Sequence, residues 1–177
     1  MTVTDDSTTR VLGTRLLRKE DPALLTGESV FTNDMKIPGA LYMAVLRSPY
    51  AHARITSIDA SAAVALPGVR AVYTGADLAD TWAAPMPCAW PVTEDMLNPA
   101  HHPLAIDKVH YVGDGVAVVI AENDTIAHDA IELIDVEYDP LEAVTALEDA
   151  LSDRVVVHED LGTNSSYTWN LLVEEED

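Results

Sequence analysis

The sequence predicts an α+β domain: a small mixed sheet with short helices and one long irregular loop. Three observations carry this. Two apolar runs, Leu41–Arg47 and Val116–Ala121, have strand length and strand composition. Two further strand-like stretches, Ile55–Ile58 and Val69–Thr74, are separated by a short helical pattern, which is tight for a parallel crossover and favours a small mixed sheet. Between Trp82 and Pro103 lie five of the ten prolines and two of the three tryptophans, so that stretch belongs to no regular element.

In chain order, residues 1–14 are rich in Thr, Asp and Ser and are expected to be flexible. Structure is expected from about Leu16. Asp21-Pro22 reads as an N-cap followed by proline at the first helical position, with Gly27 closing that helix in a left-handed conformation. Leu41–Arg47, bounded by Pro38-Gly39 and Ser48-Pro49, is apolar on both alternating faces and is expected to be buried on two sides. Asp59 caps a helix over Ala60–Leu66 that stops at Pro67-Gly68, and Val69–Thr74 is read with Val69, Ala71 and Tyr73 on one face. Val116–Ala121 reads as a central strand. Asn123 or Asp124 caps the next helix, whose stripe is Ile126, Ala127, Ala130, Ile131 and Ile134. Ile134–Tyr138 alternates as a half-exposed strand, and Thr145 with Glu148 is read as a capping box for a last short helix. Gly162–Asn170 is polar and turn-like.

The formal charge is −20 and unevenly placed: residues 1–88 hold 8 Lys/Arg and 9 Asp/Glu, residues 89–177 hold 2 and 21. Such a surface opposes phosphate backbones and anionic lipid, which argues against nucleic-acid and membrane-surface roles. Solubility, or a host with a salty cytoplasm, is the plainer reading; an acidic docking face for a basic partner is the alternative. No apolar run is long enough to span a bilayer and Met1–Thr9 lacks the pattern of a secretion signal, so a cytoplasmic protein is expected. The single cysteine, Cys88, reads as an inert packing residue. There is no internal repeat, Gly-rich phosphate loop, paired-cysteine metal pattern or nucleophile elbow.

An ordered series of short motifs resembles the large subunits of the molybdenum hydroxylases, the aerobic carbon monoxide, xanthine and aldehyde dehydrogenase family. The series begins with Arg18-x-Glu20-Asp21, Leu25-x-Gly27, Arg47-Ser48-Pro49-x-Ala51-His52-Ala53 and Pro67-Gly68-Val69. It continues with Asp107-Lys108-Val109, Tyr111-Val112-Gly113-Asp114, Val116-Ala117, Ala127 to Ala130, and Val136-Glu137-Tyr138-x-x-Leu141. Asp114-Gly115 stands where the family commonly has glutamate and proline, which frees the local backbone. The resemblance implies the N-terminal α/β hammerhead domain over residues 15–165, with residues 166–177 beginning a linker toward a molybdopterin-binding domain that the sequence does not contain.

What the resemblance implies for function is a scaffold domain. Molybdopterin and the catalytic glutamate belong to the family's downstream domains, and FAD and the 2Fe-2S clusters usually to partner subunits. No catalytic, cofactor-binding or metal residue is carried onto this chain. The residues agree: one cysteine cannot ligate a cluster, and the second half offers only Lys108 and Arg154 to a phosphate. Two alternatives stay open, a stand-alone module docking onto a separately encoded molybdenum subunit and a truncated product without function. The isolated chain is expected to be inactive.

The residues singled out are motif or interface candidates: Arg47, Ser48, Pro49, His52, Trp82, Trp90, Gly113 and Asp114. Arg47 could clamp a carboxylate across an interface, against the plainer reading of an internal pair. His52 reads as a hydrogen-bonded structural histidine before a catalytic one. His101-His102 with His110 lacks helical metal-ligand spacing. Asp114 is a turn residue or a contact to a downstream domain. Trp82 and Trp90 either meet the rest of the enzyme or fold back over this domain's own sheet.

Overall fold

The computed structural model describes residues 17–87 and 94–168. Trp90, Cys88 and residues 1–14 lie outside them, as does Leu16. The chain divides into two compact units, Met1–Gly39 and Ala40–Asp177.

In the first unit, helix α1 (Asp21–Thr26) has proline in its first turn and ends at Gly27, whose φ of 74° is the left-handed conformation that glycine adopts without cost. Asp21 is not the N-cap. Glu20 holds that position without a side-chain bond, because the Asp21 carboxylate turns back to the Arg18 backbone N–H (3.2 Å) and guanidinium (2.9 Å). A single 3-10 turn follows at Thr32–Asp34.

The second unit carries six strands: β1 (Tyr42–Arg47), β2 (Ala53–Asp59), β3 (Val69–Thr74), β4 (Lys108–Val109), β5 (Gly115–Ala121) and β6 (Asp135–Pro140). Its helices are α2 (Ser61–Ala65), α3 (Gly75–Leu78), α4 (Asp124–Ile131) and α5 (Leu147–Leu151). The small sheet expected from the short β2–α2–β3 connection resolves into two three-stranded sheets, ordered β1-β5-β3 and β4-β2-β6, all of whose ladders are antiparallel. α2 carries the chain from one sheet to the other, so β2 and β3 are never neighbours.

β5 lies at the centre of the first sheet, as its apolar run predicts. Ala117 and Val119 enter a core with Ala63, Ala130 and Ile134, Ala121 packs with Ala44 and Ala127, and Val116 belongs to a separate core with Ala53, Ala105 and Val109. α4 covers this sheet with Ala127 and Ala130 fully buried, and Asn123 caps it by accepting the Ile126 N–H at 2.8 Å. The helix stops at Ile131, so Ile134 reaches the core from the following turn. Small residues at the α4–sheet contact let the helix approach closely.

Three local expectations are corrected. β1 is an edge strand, not one buried on both sides, and its Met43 is 62% exposed. In β3 a register shift between Val69 and Ala71 brings Val69 and Val72 together into the core and leaves Tyr73 exposed. α5 begins at Leu147 with Ala146 at its N-cap and no side-chain cap, so Thr145 sits one residue too early for the box with Glu148.

The segment Trp82–Pro103 is irregular where described. It is pinned by one bridge, Met86 to His101, and by Leu97 bonded to Ser166. Just after it, the chain passes so close to α3 that a Cβ on Gly75 would overlap the Ala105 carbonyl. Backbone on both sides leaves no flexible group to move aside. Gly75→Ala should therefore cost about 2 kcal/mol and lower Tm by roughly 4–8 °C, checked by thermal melts of the full chain. An unchanged Tm would mean that Ala105 is not held where the structure places it.

Candidate functional site

The motif residues meet where the two sheets join. β1 ends at Arg47, and the turn that follows reaches across to the turn before β5. Ser48 donates its backbone N–H to the Asp114 carbonyl and accepts that of Gly113 at its own carbonyl, both at 2.8 Å. Gly113 makes this possible with a φ of +93°, which a side chain would strain. The Arg47 guanidinium donates to the Gly113 carbonyl at 2.9 Å, so the arginine fork holds a backbone oxygen, and no carboxylate partner is found among the described residues. The Ser48 hydroxyl turns inward, donating to the Tyr50 carbonyl (2.9 Å) and accepting the Tyr50 N–H (3.0 Å), which shapes the turn around Pro49.

Ser48 and Asp114 are each 3% exposed and His52 is 4% exposed. Asp114 accepts the His110 backbone N–H through its carboxylate (3.1 Å), closing a turn over residues 110–114. His52 Nδ1 is 2.8 Å from the Glu142 carbonyl; because a carbonyl only accepts, that nitrogen carries the proton. The His52 carbonyl in turn accepts the Leu141 N–H at 2.9 Å. The polar groups of Arg47, Ser48, His52, Gly113 and Asp114 named here thus bond inside the domain, joining strand ends that are 66 to 90 residues apart.

Beside this junction opens a cleft of about 440 Å³, lined by His101, His102, His110 and His158 together with Arg54, Lys108, Asp107, Asp114, Glu159 and Asp160. The rings stack instead of converging. His110 and His158 are 4.4 Å apart between centroids with a 12° interplanar angle, and His52 and His110 are 6.5 Å apart. Trp82 stacks on His102 at 4.9 Å, so it folds onto its own domain. Trp90 lies outside the described residues.

The cations of the cleft are committed. Lys108, 7% exposed, donates to the Val157 carbonyl at 2.8 Å and sits 3.7 Å from Glu159, whose carboxylate also accepts from Arg54 at 3.1 Å. Lys108 and then Arg54 hold Glu159 below the usual carboxylate range. Burial, then His158, Lys108 and His52, depress His110 to about 4, against Asp107. Burial likewise depresses His158, opposed by Asp160. Both rings are therefore neutral at pH 7, which allows them to stack.

Sequence reasoning did not find this second constellation. The sequence groups His110 with His101 and His102 and offers Lys108 as a lone cation, but nothing in the spacing links them to His158. The same holds for Asn164, which ties the turn after α5 together by donating to the Ala150 and Val155 carbonyls and accepting the Val157 N–H.

Among the described residues no three His, Cys, Asp or Glu side chains are arranged to hold a metal ion. The cleft does not fit a pyrophosphate-bearing pterin either: Arg54 and Lys108 already face Glu159, and four carboxylates line the walls.

The architecture and its motif-built sheet junction define an α/β hammerhead domain. The family model for the aldehyde oxidase and xanthine dehydrogenase a/b hammerhead domain matches residues 26–142, and the chain belongs to that family. It is 40% identical over 153 residues to the carbon monoxide dehydrogenase large chain of Hydrogenophaga pseudoflava, covering 86% of this chain and 18% of that one. It is 34% identical over 143 residues to the xanthine dehydrogenase molybdenum-binding subunit of Escherichia coli O157:H7, covering 80% and 19%. The crystal structure of quinoline 2-oxidoreductase from Pseudomonas putida 86 superposes with a TM-score of 0.72 at 42% identity, over 84% of this chain and 19% of that chain. The chain thus spans under a fifth of the length of these relatives.

The depressed His110 sets a pH dependence with a definite sign. Between about pH 6.5 and 4 the unfolded chain takes up a proton at this residue that the folded chain does not, so stability is lost as pH falls. Taking the wild type from pH 7 to 5 should cost it on the order of 1 kcal/mol more than His110→Gln, after allowance for solvent screening at a partly exposed ring. Chemical denaturation of both proteins at the two pH values checks this, and parallel losses would contradict it.

Proposed function

We propose that this chain serves as the scaffold domain of a molybdenum hydroxylase large subunit, with residues 15–165 as the hammerhead and no reacting group of its own. The observation that carries the reading is the fate of the motif residues: the Arg47 guanidinium, the Ser48 hydroxyl, His52 Nδ1, the Asp114 carboxylate and the backbone of Ser48 and Gly113 bond to backbone groups of the domain itself, holding the β1–β5 and β2–β6 strand ends and the turns beside them. A domain whose signature residues are consumed internally contributes shape and rigidity, and leaves chemistry to other domains.

On this reading the complete enzyme is an oxidoreductase that uses molybdopterin downstream of the hammerhead, with FAD and 2Fe-2S clusters on partner subunits, and it works in the cytoplasm. Relatives whose names include a molybdenum-binding subunit support the first part. No described helix is long and apolar enough to cross a membrane. The isolated chain binds none of these cofactors and turns nothing over.

The test is to express the tagged chain in its own host and analyse two fractions, the free chain and any assembly. The expected outcome is a colourless free chain without stoichiometric molybdenum or iron, and an assembly that contains a molybdenum-binding polypeptide of this family. A free chain carrying molybdenum, or an assembly lacking such a polypeptide, would overturn the reading.

A further inference from the structure

β5 is apolar on both faces, the pattern of a strand covered on two sides. Within the unit Ala40–Asp177, α4 and α2 cover one face, and the other is covered at its Val116 end by Ala53, Ala105 and Val109. Alternation puts Ala117, Val119 and Ala121 on the covered face and Val118 and Ile120 on the other. The ladders place Met43 and Val45 of β1 on one side of Val118 and Ile120, and Ala71 and Tyr73 of β3 on the other. These six residues form an uncharged apolar face across the sheet and join none of the three core clusters. Met43 is 62% and Tyr73 42% exposed, and the central Val118 and Ile120 are only half-buried although strands flank them on both sides.

We infer that this open face of β1-β5-β3 is the seat of the molybdenum-binding part of the large subunit. The inference rests on the scaffold reading and adds the surface to it. Length supports this occupant: the match spans under a fifth of each relative, so those proteins carry more than four-fifths of their chain beyond it, ample mass for a second layer. Charge disfavours a second copy of this chain, since each copy carries a net −20 that would be brought together around an uncharged patch unable to compensate it. A contiguous apolar face of this kind marks an interaction surface on a soluble domain.

The test uses the full chain in its host, with a photo-crosslinking phenylalanine analogue replacing Met43 or Tyr73 and, as a control, Leu133, which is exposed beyond the end of α4. Crosslinked peptides are identified by mass spectrometry after purification through the tag. Positions 43 and 73 should link to residues of the molybdenum-binding part, on the same or a separate polypeptide, at least tenfold more often than position 133. Links to a second copy or to residues 1–39 would overturn the inference, as would an intact assembly with no links from 43 and 73. If no molybdenum-binding polypeptide co-purifies even without the analogue, the scaffold reading falls, and this inference with it. Thermal melts of each variant verify folding, and Val118→Glu, expected to weaken assembly by tenfold or more, provides a second readout should the analogue fail to incorporate.

Discussion

The rest of the domain depends on one strand feeding all three core clusters. β5 places Val116 among Ala53, Ala105 and Val109 and, one residue later, begins to feed the core beneath α4. Alternation along the strand sends Val116 and Ala117 into different cores, and the turn that leads into the strand is where Gly113 and Asp114 stand. The reciprocal bonds between Ser48 and the Gly113-Asp114 turn continue the β1–β5 ladder into the two turns by which the chain passes between the sheets. Each neutral buried hydrogen bond contributes about 1 kcal/mol net, but leaving one partner of such a pair unsatisfied costs about 1–3 kcal/mol. The junction therefore resists change more strongly than it stabilises.

A second set of contacts holds the chain after α5 against the sheet β4-β2-β6. His158 stacks on His110, Lys108 donates to the Val157 carbonyl, and Arg54 with Lys108 faces Glu159. In a chain with 21 acidic and 2 basic residues beyond position 88, this is where one of those two cations is used. Its ammonium is buried, so it sees Glu159 with less solvent screening than the exposed pairs elsewhere have. The arrangement fixes a segment with no strand or helix of its own.

Most of the regular structure was legible because each element carries local signals. Asn123 before an apolar stripe gave α4, the apolar run gave β5 its central place, and Gly27 gave the end of α1. Misreadings arose where tertiary context overrides local pattern. Alternation alone could not reveal the register shift that moves Tyr73 out of the core, and two-sided apolar character in β1 could not reveal that one face is open. The motif residues were legible as a family resemblance, but their bonds were not, because Ser48 and Asp114 are joined across 66 residues of chain by backbone groups that every residue possesses. The histidine stack was illegible for a related reason. His110 and His158 are brought together by the turn that Asn164 organises, and no spacing rule encodes that.

The central claim is that the family motif is spent on structure, clamping together the two turns that link the sheets at the corner before β5. Native-state hydrogen exchange tests it most directly, since the Ser48 and Gly113 amides are the two donors of the clamp. If the clamp is integral to the fold, both amides should exchange only through global unfolding, with protection free energies and denaturant dependence matching those of Val119 in β5. Exchange of Ser48 and Gly113 through local opening, several kcal/mol below Val119, would show that the corner moves independently of the sheets and would contradict the account.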